Sequence, residues 1–118
     1  MKRSKTLFGV AVALLGIALT GCPERIRIGD ISHDPGRYYN KEVTVAGRVV
    51  RSYGAAGAGV YEIDDGTGTL WIATERYGVP TKDTYVGVTG RVIPGVTWGG
   101  RNYGNGMHET RRRTRETR

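Results

Sequence analysis

The chain has almost no cysteine: Cys22 is the single one among 118 residues. No intrachain disulfide can form, so the fold depends on its core. Histidine is scarce too. His33 and His108 stand far apart, with no metal-ligand spacing around either. Long apolar runs are missing: the longest, Leu7 to Leu19, is about 13 residues, against roughly 20 needed to span a bilayer as a helix. After Leu19 no segment keeps a helical apolar period. These absences exclude a disulfide scaffold, a histidine-built metal centre and a helical bundle.

The surroundings of Cys22 carry information. Lys2, Arg3 and Lys5 precede the apolar run, and Leu19-Thr20-Gly21 leads directly into Cys22. A basic start, a short apolar stretch and small residues at the cut describe a secretory signal peptide. Leu-Thr-Gly-Cys resembles the lipobox of bacterial lipoproteins. The resemblance implies cleavage before Cys22 and acylation of its sulfur and of the new amino terminus. Three acyl chains would then hold the protein on the cell membrane or outer membrane, facing the periplasm or exterior; one chain alone binds marginally. The competing reading is an ordinary signal peptide with an incidental cysteine.

The net charge of +7 does not belong to the domain. Residues 1–21 contribute +3, and the segment 111–118, with five Arg and one Glu, contributes +4. The remainder, 22–110, sums to zero, which weakens the inference from high pI to nucleic-acid binding. The expected layout is a signal peptide at 1–21, a tether at 22–27, a domain at 28–110 and a basic disordered tail at 111–118. Attraction of that tail to anionic lipid headgroups is its functional alternative.

Between the ends, β-branched residues recur among 19 glycines. Strands are expected at about 42–53, 59–64, 69–74, 84–93 and 101–111. Asp64-Asp65-Gly66-Thr67-Gly68 reads as a tight hairpin turn. Gly47, followed by adjacent Val49 and Val50, breaks the alternation and marks a bulge or bend. Val43-Thr44-Val45-Ala46-Gly47-Arg48-Val49-Val50 is echoed by Val86-Gly87-Val88-Thr89-Gly90-Arg91-Val92-Ile93. The echo suggests two long strands bent at a central glycine, as closing a small barrel requires. Ahead of them, Asp30 is expected to cap one helical turn, Asp34-Pro35-Gly36 to turn the chain, and Ile28, Ile31 and Tyr38 to plug the barrel.

This order of strands and turns resembles an OB-fold, a five-stranded Greek-key barrel, over about residues 26–110. It is similar to nucleic-acid-binding OB domains of the tRNA-anticodon type and to small exported bacterial OB proteins. The resemblance rests on Lys41 to Val49, Tyr61 to Gly68 and Val86 to Val92. It implies an all-β barrel with a short N-terminal helical turn. One departure is expected: 75–83 is too short, and too broken by Gly78 and Pro80, for the long helix many OB-folds carry between strands three and four.

OB-folds bind across strands two and three, flanked by the loops joining strands 1–2 and 4–5. Here those loops are Ser52 to Gly59, expected to be flexible, and Pro94 to Gly106. Candidate ligand residues are therefore Arg51, Tyr53, Trp71, Trp98, Arg101 and Tyr103. Rings and arginines among glycines suit stacking on bases or sugar rings, at roughly 1–3 kcal/mol per stacked base. The competing reading is packing, with the second loop folding over a barrel end. No catalytic residue, metal or cofactor is expected. Asp64 and Asp65 open a hairpin, and Gly66-Thr67-Gly68 lacks the rest of a phosphate-binding loop. Taken together, the sequence implies a non-enzymatic, lipid-anchored module outside the cytoplasm. Its ligand would be an oligosaccharide, an envelope polymer, a peptide or, less favoured, a nucleic acid. The alternative is an envelope assembly protein whose barrel docks another protein.

Overall fold

Apolar residues at alternate positions give four of the five long strands one face to bury. The computed structural model describes residues 24–115. The expected signal peptide, Cys22 and the end of the expected tail lie outside the described residues. In chain order the elements are β1 (Glu24–Arg25), α1 (Ile28–His33), a 3-10 turn (Pro35–Arg37), β2 (Glu42–Ala55), β3 (Ala58–Asp64), β4 (Thr69–Thr74), β5 (Tyr85–Ile93), β6 (Thr97–Trp98), β7 (Arg101–Asn102) and β8 (Gly106–Arg115).

β2, β3, β4, β8 and β5 are hydrogen-bonded in that order, and β5 closes the ring by pairing with β2. The β4–β8 pair is parallel and the other four are antiparallel. The fold is thus the five-stranded all-β barrel expected from the sequence. β2 serves two neighbours because it bends. Residues 42–48 pair with β5, and 48–55 pair with β3. Gly47 lies at the crossing, where a Cβ would sit 2.6 Å from the Asp64 carbonyl oxygen. Val50 is the extra residue of a bulge: Val49 opposes Ile63 and Arg51 opposes Glu62. Gly90 answers the same demand in β5, where a Cβ would sit 2.6 Å from Met107 Cγ. Opposite it, β8 slips register around Thr110. The two glycines of the echo therefore mark close strand crossings, where no larger residue fits.

The core holds Val43, Val45, Ile63, Ile72, Val86, Val88 and Met107 with their buried neighbours. Each fully buried aliphatic chain contributes about 1.5–3 kcal/mol. Ile28 and Ile31 of α1 join this core, and Tyr38 packs against it, as expected of a plug. Asp30, however, does not cap α1. It lies inside the first turn and pairs with Arg27, the residue at the N-cap position. The capping comes from the β3–β4 turn instead. Asp65 Oδ2 accepts the Ile28 N–H at 2.9 Å, and Thr67 Oγ1 accepts the Gly29 N–H at 2.9 Å. Burial opposes the charged form of Asp65. Hydrogen bonds from the Thr67 hydroxyl and the N–H groups of Ile28, Thr67 and Gly68 outweigh it and hold the carboxyl below its ordinary range.

Four boundaries differ from expectation. Glu24 and Arg25, placed in the tether, pair with Val43 and Thr44 of β2, and Ile26 packs against the core. The first ligand loop shrinks to Ala56-Gly57, both at positive φ (55° and 84°), because β2 and β3 run on as a tight hairpin. The last strand starts later, since Thr97 to Asn102 form a small β6–β7 hairpin first. It also ends later. Arg111 to Arg115 continue β8, paired with Thr89 to Tyr85 of β5, so this part of the expected tail is barrel.

Candidate ligand-binding face

The pleat of β3 and β4 turns Tyr61, Ile63, Leu70 and Ile72 inward and Glu62 and Trp71 outward. Glu62 stands between Arg51 of β2 and Trp71 of β4, its cross-strand partners. Its carboxylate lies 3.7 Å from Arg51 Nε. With Arg51 largely exposed, the pair adds little stability, but it cancels the charge beside Trp71.

Tyr53 follows two residues further along β2, carried by the tight β2–β3 hairpin and 48% exposed. Tyr103 arrives from the other loop, where its N–H donates to the Val96 carbonyl at 2.8 Å. The three rings meet on one surface. Trp71 and Tyr103 have centroids 4.4 Å apart, tilted by 40°. Tyr53 lies 6.1 Å from Trp71 and 6.4 Å from Tyr103, near-parallel to each. The Arg101 guanidinium sits 6.0 Å from the Tyr103 centroid, within cation–π range. Val60, which opposes Tyr53, and Val96, which bonds Tyr103, are fully buried yet outside the central core. Val60 lies on this side of the sheet, opposite Tyr53.

Of the six sequence candidates, the fold brings together Tyr53, Trp71, Tyr103 and Arg101. Arg51 flanks them, tied to Glu62. Trp98 pairs with Arg101 across the β6–β7 hairpin, half-buried, and stacks on no other ring among the described residues.

A second polar group, unforeseen from sequence, lies inside the barrel. The Glu109 side chain is fully buried; Oε1 accepts a short hydrogen bond from Tyr61 Oη, and Oε2 accepts one from Thr74 Oγ1 at 2.8 Å. Arg112 Nη1 stands 3.6 Å from Glu109 Oε1 and donates to the Gly78 carbonyl at 2.9 Å, while Nη2 donates to the Tyr77 carbonyl at 2.8 Å. Burial, and then the neighbouring Glu109 carboxyl, push the Tyr61 phenol well above its ordinary value. No buried side-chain polar atom among the described residues lacks a partner. The cluster is therefore a closed network that fixes the 75–84 connector on the barrel. The available signal was parity: Glu109 lies two residues after the inward Met107.

The remaining polar candidates carry structural tasks. His108 Nε2 sits 3.3 Å from Glu75 Oε1 at the surface. Asp64 and Asp65 bind N–H groups of their own turn, with Gly66 N–H to Asp64 Oδ1 at 2.7 Å and Thr67 N–H to Asp65 Oδ1 at 2.8 Å. No three His, Cys, Asp or Glu converge among the described residues, and no helix there is long and apolar enough to cross a membrane.

Neither a family model nor a curated protein sequence matches this chain. Solved structures do match its fold. A putative aspartyl-tRNA synthetase from Leishmania major Friedlin is 13% identical with a TM-score of 0.60, over 80% of this chain and 21% of that one. Asparaginyl-tRNA synthetase from Pyrococcus horikoshii is 18% identical with a TM-score of 0.58, over 75% of this chain and 22% of that one. An OBody bound to hen egg-white lysozyme is 17% identical with a TM-score of 0.50, over 66% of this chain and 84% of that one. The chain thus spans about a fifth of the synthetase chains it resembles. At these identities the likeness concerns the fold, which is an OB-fold.

Proposed function

We propose that this chain is a non-catalytic binding module, anchored outside the cytoplasm through acylated Cys22, that holds an oligomer of ring-shaped units across β3 and β4. The observation that carries the reading is the platform of Tyr53, Trp71 and Tyr103, edged by Arg101, on the face where OB-folds take their ligands. Glu62 answers Arg51, which leaves Arg101 as the cation at the platform's edge. A glycan strand of uncharged rings with apolar C–H faces suits such a surface better than a polyanion, whose binding draws on many unpaired cations.

Calorimetric titration of the chain with oligo-N-acetylglucosamine and with oligothymidylate tests the platform. Tyr53→Ala and Tyr103→Ala are each expected to weaken binding by roughly 5- to 150-fold, the equivalent of one lost stack. Binding of neither probe, or binding indifferent to both substitutions, removes the proposal. The anchor has its own test in the intact mass of the mature protein, which should begin at Cys22 and carry three acyl chains.

A further inference from the structure

Gly87 has no structural reason to be glycine. It stands mid-strand in β5, its φ is not positive, and a Cβ built on it meets nothing within 4 Å. Gly90, three residues on, is crowded by the His108 backbone and the Met107 side chain of β8. A glycine inside a strand weakens it, and one that neither conformation nor packing demands points to a close approach from outside.

The surroundings say what approaches. Gly87 lies between Ala46 of β2 and Arg113 of β8, and the next row holds Thr44, Thr89 and Arg111. The result is an open cleft of about 530 Å³ with a floor of Thr44, Gly87 and Thr89, lined further by Arg111, Arg112, Arg113 and Tyr77. Arg111 and Arg113 form no ion pair among the described residues, whereas Arg112 between them turns inward to Glu109. Thr44 Oγ1 and Thr89 Oγ1 lie 2.8 Å apart. Only one of the two hydroxyls can donate within that pair, so the other keeps a proton for an incoming acceptor. Across β2, Arg25 of β1 extends the threonine row. Unpaired guanidinium groups, a free hydroxyl proton and a bare floor are the chemistry of an oxyanion seat.

We infer that this trough seats the phosphate headgroups of an anionic bilayer and lays the barrel against it. Two placements select a membrane among phosphate carriers. β1 is the edge strand of this sheet, and Cys22 precedes it by two residues, which cover at most about 7 Å. The choice of occupant therefore rests on the acylation proposed above. In addition, β5 lies directly across the closed ring from the β3–β4 pair. Seating the trough on headgroups turns the ring platform away from the membrane, toward its ligand.

Co-sedimentation of the full chain with phosphatidylcholine vesicles, with and without phosphatidylglycerol, tests this. The ratio of the two binding constants isolates charge, since the apolar segment and any acyl chains contribute to both. Arg111→Gln and Arg113→Gln are each expected to lower that ratio about fivefold. Gly87→Val is expected to lower it too, while raising the melting temperature by about 4 °C, because valine favours strands and has room here. A ratio unmoved by the arginine changes, or a Gly87→Val protein that melts lower, overturns the inference. So does equal competition by soluble glycerophosphate or oligothymidylate at matched phosphate concentration, which assigns the seat to a soluble carrier. The anchor is judged separately by the mass of Cys22. An acylated protein with an indifferent ratio sinks the trough alone; an unacylated one with an arginine-dependent ratio supports the trough and sinks the anchor.

Discussion

The β3–β4 face and the β5 face are built from the same kind of strand and differ only outside. Inward, β3 and β4 present Tyr61, Ile63, Leu70 and Ile72, and β5 presents Val86, Val88 and Val92, to one core. Outward, β3 and β4 carry Trp71 beside a neutralised ion pair, with Tyr53 and Tyr103 stacked around it. Outward, β5 carries Gly87 and Thr89 beneath Arg111 and Arg113. A closed barrel dictates its inner positions and leaves its outer ones free, so folding alone does not account for the contrast. One face is aromatic, with its ion pair balanced and Arg101 at its edge. The other is bare, hydroxylated and cationic.

The sharpest way to break this comparison runs through three consecutive arginines. Arg112, 12% exposed at its side chain, holds Glu109, whereas Arg111 and Arg113 face solvent. Arg112→Gln should cost about 3–5 kcal/mol in urea unfolding, because it leaves a buried carboxyl without its counter-charge. The same change at Arg111 or Arg113 should stay within about 0.5 kcal/mol. Equal costs at all three would abolish the distinction between wall and interior. The two glycines of β5 offer the next contrast. Gly90→Ala should destabilise by about 1–3 kcal/mol through overpacking against the His108 carbonyl and Met107, and Gly87→Ala should not destabilise at all. Paired thermal melts decide that point.

The smallest effect concerns the barrel end that both faces share. Asp65 is depressed in the folded state, so its contribution is complete above its unfolded value of about 3.9 and disappears as pH falls through the lower folded value. Asp65→Asn should cost about 1 kcal/mol at neutral pH, in line with a lost helix cap. Its stability should converge with that of the parent in acid. A constant gap down to the acid limit would mean that the carboxylate charge is irrelevant to the cap.

Much of the barrel was legible because period-2 alternation and glycine placement leave little choice. Gly47 and Gly90 announced the two crossings, and Asp-Asp-Gly-Thr-Gly announced the hairpin. The helix cap was not legible: Asp65 and Thr67 reach Ile28 and Gly29 across 37 and 38 residues, and a local reading assigns capping to the nearest acid, Asp30. The arginine run misled for a related reason. Five arginines in eight residues read as a solvated end. Yet the slip at Thr110 sets Arg112 inward and lets β8 run on to Arg115. Among the site candidates, Tyr53, Trp71 and Tyr103 converge because strand parity and loop order follow from the topology. Trp98 does not join them, since the β6–β7 hairpin that carries it left no pattern beyond a pair of glycines.

The central claim is that ligand rings lie on the Tyr53, Trp71 and Tyr103 surface and nowhere near β5. Chemical-shift mapping of the labelled chain, with oligo-N-acetylglucosamine and oligothymidylate added in turn, addresses it directly. The account predicts that a binding probe moves the signals of those three residues and leaves Gly87 and Thr89 in place. Shifts centred on Gly87 and Thr89, with the three rings silent, would contradict it.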